Sequence, residues 1–250
     1  MKVFYFTSTG NCLSVAKEFD AELLSIPKMI KEKRFEFEDK KIGFVIPTYF
    51  MGMPRIVKDF LEKATFKSEY TFVIMTYGNA SGAGVNQFAK YMASKGTTID
   101  YAEDLLMVDN YLPMFDMDEQ KRKISSKKID SNLKRIVNDI SESKKYIAKK
   151  KFSEKSITVL AQAFYKTQKG TYDEKFTVSD LCTGCKICEK VCPVNNIRVE
   201  KKPVYLHHCD GCLGCINLCP EGAIKLTKEK GTSRFKNENV ELQEIIVSNN

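Results

Sequence analysis

The chain contains no tryptophan and only two histidines, His207 and His208, side by side next to Cys209. With histidine confined to that dipeptide, no Ser-His-Asp or Cys-His arrangement for nucleophilic catalysis can be drawn. The pair is assigned to a place beside the cysteines or at the surface rather than to proton transfer. Long apolar runs are missing too. The longest uncharged stretch near the middle, residues 42–54, holds two prolines and two glycines and is too short to cross a bilayer, so no membrane span is expected. Met1 to Phe6 lacks the apolar region and small-residue cleavage site of a secretory signal, which makes the cytoplasm the expected compartment. No G-x-x-x-x-G-K-[ST] occurs, and Gly82-Ala83-Gly84 continues to Gln87 where a dinucleotide site needs its third glycine. Nucleotide hydrolysis and dinucleotide binding are both disfavoured.

What is present describes an ordinary globular protein, with 43% hydrophobic and 29% charged residues in 250. The formal charge of +8 would suit nucleic acid, but its distribution argues otherwise. Residues 121–155 hold thirteen Lys or Arg against Asp130, Asp139, Glu142 and Glu154, and therefore carry the whole excess. The basic residues alternate with Ile124, Ile129, Leu133, Ile136, Val137, Ile140 and Ile147, the pattern of an amphipathic helix with a solvated charged face. No DNA-binding motif accompanies them. An acidic partner surface is the alternative use of this charge.

Eight of the nine cysteines lie between Cys182 and Cys219. The segment reads Cys182-Thr-Gly-Cys185-Lys-Ile-Cys188-Glu-Lys-Val-Cys192-Pro193, and a shift of 27 residues brings it onto Cys209-Asp-Gly-Cys212-Leu-Gly-Cys215-Ile-Asn-Leu-Cys219-Pro220. This is an internal repeat. A cubane cluster needs four converging thiolates; C-x2-C-x2-C wraps three corners, and the fourth must come from elsewhere. Zinc sites pair two C-x2-C knuckles instead, and a disulfide framework wants an oxidising compartment, so the spacing selects two 4Fe-4S clusters over both. Residues 175 to 228 resemble the two-cluster bacterial ferredoxin module. In that module the cysteine before proline ligates the other cluster, which implies Cys182, Cys185, Cys188 and Cys219 for one cluster and Cys209, Cys212, Cys215 and Cys192 for the second.

Residues 1 to 108 alternate between strand and helix patterns, as in a parallel sheet flanked by helices. Strands are expected at 2–7, 41–48, 71–77 and, as the last, 98–108; helices are expected at 11–24, 56–64 and 85–95, and a further strand somewhere in 25–40. Residues 117–150 are expected to add one or two covering helices. The fold class is therefore α/β, a doubly wound parallel sheet followed by a small α+β ferredoxin-like domain. The first strand runs into Thr7-Ser8-Thr9-Gly10-Asn11-Cys12, which concentrates hydroxyls and free backbone donors at a helix start, an anion site. This resembles the flavodoxin phosphate loop, S/T-x-T-G-N-T, whose ligand is the phosphate of FMN. Cys12 stands where that pattern has its last threonine and offers a weaker donor; it is read as a small packed residue. Ligands of such folds lie at strand carboxyl ends, which adds the loops Pro47-Thr48-Tyr49-Phe50-Met51-Gly52 and Thr76-Tyr77-Gly78-Asn79, with Gly82, as FMN-binding candidates. Without tryptophan, the indole stack common in flavodoxins cannot form.

As a whole the chain resembles the EFR-type ferrodoxins, iron-sulfur flavoproteins in which a flavodoxin-like domain is fused to a two-cluster ferredoxin. The resemblance implies residues 1–150 as an FMN domain, 151–174 as a linker, 175–228 as the cluster domain and 229–250 as a tail; Val240, Leu242, Ile245, Ile246 and Val247 suggest that part of the tail docks. It implies electron transfer between FMN, two 4Fe-4S clusters and a redox partner protein. A flavin-dependent reductase of a small quinone or nitro compound is the alternative, and a redox or iron sensor a third.

Overall fold

The computed structural model describes residues 1–168 and 170–250. Its first part contains β1 (Lys2–Tyr5), α1 (Asn11–Ala16), β2 (Glu22–Ser25), α2 (Ile26–Lys31), β3 (Glu36–Glu38), β4 (Lys41–Pro47), α3 (Arg55–Lys63), β5 (Thr65–Lys67), β6 (Tyr70–Tyr77), α4 (Gly84–Ser94), β7 (Tyr101–Leu106), α5 (Met117–Arg122), α6 (Ile129–Ser141) and β8 (Tyr146–Ile147). Six of these strands form one parallel sheet in the order β2-β1-β4-β6-β7-β8. Counted within the sheet this is the 2-1-3-4-5 order of flavodoxin-like folds, extended by one strand. It reverses direction between β1 and β4, where such sheets leave a crevice.

Strands covered on both faces read as continuous apolar runs rather than alternations, and β6 is buried from Tyr70 through Thr76. Successive side chains still point to opposite faces. Phe4, Phe44 and Val73 join α3 and α4 in one core through Phe60 and Phe88. Val3, Val45 and Phe72 join α1 and α6 in the other through Leu13, Leu133, Ile136 and Ile140. Gly43 on β4 leaves the space in which the ring of its register partner Phe72 lies.

Three expectations are corrected. The first helix ends at Ala16, and Leu23 and Leu24 belong to β2, which pairs with β1 from Lys2–Glu22 to Tyr5–Ser25. Two adjacent leucines fit a helix face as readily as a short strand, and the strand is only four residues long. The second strand thus precedes 25–40. That stretch holds α2, whose cap is the Ser25 hydroxyl accepting the Lys28 N–H, and a further strand, β3, which pairs with β5 outside the main sheet. Nor is β7 the last strand, because Tyr146 and Ile147 add alongside it.

The second part begins with α7 (Phe152–Thr167) and continues with β9 (Phe176–Val178), α8 (Ile187–Lys190), β10 (Ile197–Val199), β11 (Pro203–Tyr205), α9 (Gly214–Asn217), β12 (Ile224–Leu226) and α10 (Leu242–Asn249). The cysteine segment is framed by two antiparallel pairs, β9 with β12 and β10 with β11. Its repeat extends to backbone angles, for the left-handed residues Gly184 (φ 70°) and Gly211 (φ 71°) recur 27 positions apart, as do Lys186 (φ 63°) and Leu213 (φ 57°). Phe235 packs into the cysteine-side core, whereas Val240 and Ile245 return to the core of the parallel sheet. Among the described residues no helix is long and apolar enough to cross a membrane.

Candidate functional site

The turn after β1 is held by Thr7 within it and by the loop after β7. Gly10 takes φ 104°, a left-handed value that disfavours any side chain, and its N–H donates to Thr7 Oγ1 at 3.0 Å. Asn110 Nδ2 donates to Thr9 Oγ1 at 2.6 Å, and Asn11 Nδ2 donates to the Val108 carbonyl at 3.0 Å. The loop's side chains are thus engaged in shaping it. Thr7 and Thr9 accept these bonds, which leaves their O–H groups free to donate to an anion, beside the N–H groups in the first turn of α1 that have no intrahelical acceptor.

A cavity of about 290 Å3 opens at the carboxyl ends of β1, β4, β6 and β7. Its wall brings together Thr7, Ser8, Thr9, Asn11 and Cys12 from the first loop, Pro47 to Met51 from the second, and Thr76 to Asn79 from the third. Gly10, Gly52 and Gly82 are not part of the wall; Gly52 backs onto Gln162, and Gly82 onto Met51 and Thr158. The Thr48 hydroxyl is buried with no hydrogen-bond partner. Cys12 Sγ lies 3.2 Å from Thr76 Oγ1, and burial pushes its thiol up to about 12, which makes it an inert packed residue.

The second loop is a tight turn in which Tyr49 and Gly52 exchange backbone hydrogen bonds at 2.8 and 3.0 Å. Phe50 (φ 48°) and Met51 (φ 62°) both occupy the left-handed region, an uncommon position for non-glycine residues. The surroundings impose it. Gln162 on α7 donates Nε2 to the carbonyls of Tyr49 and Phe50 at 2.7 and 2.9 Å, and the Phe50 ring stacks on Tyr165 with centroids 5.0 Å apart. The Tyr49 hydroxyl, 3.4 Å from Ser8 Oγ, is held well above its ordinary pKa by burial first and by Cys212 second.

Sequence reasoning missed three parts of the wall. One is the loop after β7, with Val108 to Tyr111, Met114 and Phe115; its position at a strand end was the available signal. Within it Asp109 is the only carboxylate in the wall among the described residues. Burial raises its pKa above the ordinary value, while its bond from the Tyr111 N–H and the charge of Lys127 pull the other way. The others are Ala161 on α7 and Gly211, Cys212 and Leu213, which no local pattern connects to the parallel sheet.

Cys182, Cys185, Cys188 and Cys219 line one small cavity, and Cys192, Cys209, Cys212 and Cys215 line another. The first set lies outward, with Cys185 exposed; in the second, Cys192, Cys209 and Cys215 are buried. Among the described residues no three His, Cys, Asp or Glu side chains meet closely enough for a single metal ion; each cysteine set surrounds a space. Burial is the main force pushing the Cys188 and Cys209 thiols up to about 12, so iron would have to displace their protons. Cys212 and Leu213 border both the inner cysteine cavity and the 290 Å3 cavity.

Residues 177–198 match a 4Fe-4S binding domain family, and residues 206–222 match a second 4Fe-4S binding domain family. No curated protein matches the chain. Among solved structures, the Trp repressor binding protein from Bacillus subtilis is similar over 42% of this chain and 81% of that one, with 19% identity and a TM-score of 0.29. The chain therefore joins a flavodoxin-like parallel sheet to a segment bearing two 4Fe-4S binding motifs, and those motifs support an iron-sulfur electron-transfer role.

Proposed function

We propose that the protein is an iron-sulfur flavoprotein of the EFR-type ferrodoxin kind. In this reading it passes electrons between FMN in the 290 Å3 cavity, the inner cluster on Cys192, Cys209, Cys212 and Cys215, the outer cluster on Cys182, Cys185, Cys188 and Cys219, and a redox partner. The observation that carries it is the double position of Cys212, which borders both the large cavity and the inner cysteine cavity. FMN would supply the exchange of paired electrons for single ones, which clusters alone do not provide. The backbone donors at the start of α1 would face the phosphate, and Tyr49, Phe50 and Tyr111 would flank the ring. The outer set, with its exposed Cys185, is the natural exit to a partner, and the basic segment suits an acidic one.

The same reading divides the chain into residues 1–150 for FMN, 151–174 as connection, 175–228 for the clusters and 229–250 as a tail. At 290 Å3 the cavity lies just under the range of about 300–1,000 Å3 usual for ligand sites. A site of that size suits one mononucleotide; a quinone or nitro reductase is the second reading. Anaerobic purification followed by iron, sulfide and flavin analysis tests the reading. About eight irons and one FMN per chain are expected for two cubanes and one flavin; four irons or fewer, reproducibly, would defeat the ligand assignment, and a flavin-free chain that takes up no added FMN would defeat the cavity assignment.

A further inference from the structure

The phosphate loop is not self-supporting. Asn237 N–H donates to the Thr9 carbonyl at 2.8 Å, and Asn237 Nδ2 donates to Asn11 Oδ1 at 3.0 Å, across 226 positions of sequence. Asn249, fully buried, donates from Nδ2 to two carbonyls at 3.2 Å each, that of Thr7 in the loop and that of Val191 beside Cys192. Between these two asparagines, Val240 and Ile245 are buried, Ser248 Oγ meets the Tyr5 hydroxyl at 2.8 Å, and Lys31 Nζ donates to the Asn249 carbonyl at 2.6 Å. No space is left between the strap and the loop, since a Cβ on Gly10 would lie 2.8 Å from that of Asn237.

The consequence follows from peptide geometry. All peptide bonds in the described chain are trans, and in a planar trans peptide the N–H points opposite to the C=O. Holding the Thr7 carbonyl toward Asn249 therefore aims the Ser8 N–H away from the strap. Holding the Thr9 carbonyl toward Asn237 aims the Gly10 N–H inward, where it meets Thr7 Oγ1. The Asn11 side chain is fixed at both ends, by Asn237 and by Val108.

We propose that Asn237 and Asn249 are positioning residues for the phosphate loop, and that the strap they anchor sets the share of flavin affinity that comes from the phosphate. This rests on the FMN reading above. The strap touches the outside of the loop, so its contribution goes to the phosphate and not to the ring.

The test uses cluster-loaded, flavin-stripped protein titrated anaerobically with FMN and, separately, with riboflavin, which lacks the phosphate. In Asn237→Ala, Asn249→Ala and the double variant, the Kd for FMN is expected to rise about tenfold or more, the size of one or two lost hydrogen bonds, while that for riboflavin stays within about twofold and iron content is unchanged. Equal weakening of both flavins, or of neither, overturns the proposal. Should the alanine variants lose iron or fail to fold, Asn237→Asp gives the decisive reading. It keeps the backbone bond to Thr9 and the bond that Oδ1 accepts from the Asn239 N–H but sets an acceptor against Asn11 Oδ1, and it must lower the FMN-to-riboflavin preference. A wild-type chain that binds neither flavin would sink the FMN reading instead. Hydrogen exchange at the Ser8 and Gly10 amides then still decides on the strap, faster exchange in Asn237→Asp supporting it and unchanged exchange overturning it.

Discussion

The Arg55 guanidinium reaches from the start of α3 to the Asp210 carboxylate, Nε to Oδ1 2.8 Å, and so pins the parallel-sheet part of the chain to the inner cysteine loop. It also donates to the carbonyls of Tyr165 and Cys209 at 2.9 and 3.0 Å and lies over the Tyr165 ring, 4.1 Å from its centroid. Tyr165 in turn donates its hydroxyl to Asp210 at 2.8 Å. Three stretches of chain that share no local pattern meet in this group of charges.

Removing one partner of a buried pair leaves the other charge uncompensated. Asp210 is 4% exposed, and burial already pushes its carboxyl up to about 6 against the pull of Arg55. Arg55→Ala is expected to cost about 3–5 kcal/mol, read as a lower denaturant midpoint with an unchanged slope. Asp210→Asn, which loses the charge but keeps an acceptor, should cost less. A midpoint unmoved by Arg55→Ala would mean that the pair does not hold the two parts together.

The two cysteine sets should fail separately. Cys185→Ser is expected to leave about four irons, in the buried inner set, with electron transfer from flavin to cluster intact but delivery to an outside acceptor lost. Cys212→Ser should remove the inner cluster and break the path at its first step, so that reduced flavin no longer passes electrons to the outer cluster. Stopped-flow reduction with cluster and flavin bands followed together distinguishes these outcomes.

Gln162 is expected to matter only while the turn it holds is strained. Gln162→Ala removes both donors to the Tyr49 and Phe50 carbonyls and should cost about 1–2 kcal/mol. Glycine adopts φ 62° without penalty, so Met51→Gly should make the same change cheaper. A double-mutant cycle by chemical denaturation gives the coupling; strictly additive effects would refute the clamp.

Asp109 gives a pH dependence of known sign. Its pKa is raised by burial, so above the unfolded value of about 3.9 the native state holds a proton that the unfolded chain has released. Stability then falls as pH rises toward the folded pKa, and the loss is constant above it. Asp109→Asn keeps an acceptor for the Tyr111 N–H, which now binds Oδ1 at 2.9 Å, and carries no such loss. Its melting temperature should therefore climb relative to wild type between about pH 4 and pH 7; a gap that stays flat over that range would contradict the raised carboxyl.

Much of this protein is written locally. The cysteine repeat is legible because three thiolates around one cluster need fixed short spacings and left-handed turns, which Gly184 and Gly211 provide. The turn from Thr7 to Asn11 is legible for the same reason, as a few consecutive residues that shape one loop. β2 is not legible, because two adjacent leucines carry no period. What only the tertiary structure decided is which cysteine set faces the large cavity, that α7 and the loop after β7 complete its wall, and that Asn237 and Asn249 support the loop from Thr7 to Asn11, Asn237 lying 226 positions from its partner Asn11. Those relations arise from burying separate apolar faces in common cores, and the burial of apolar surface is non-directional. Spacing and periodicity report which face of an element is buried, not what it is buried against.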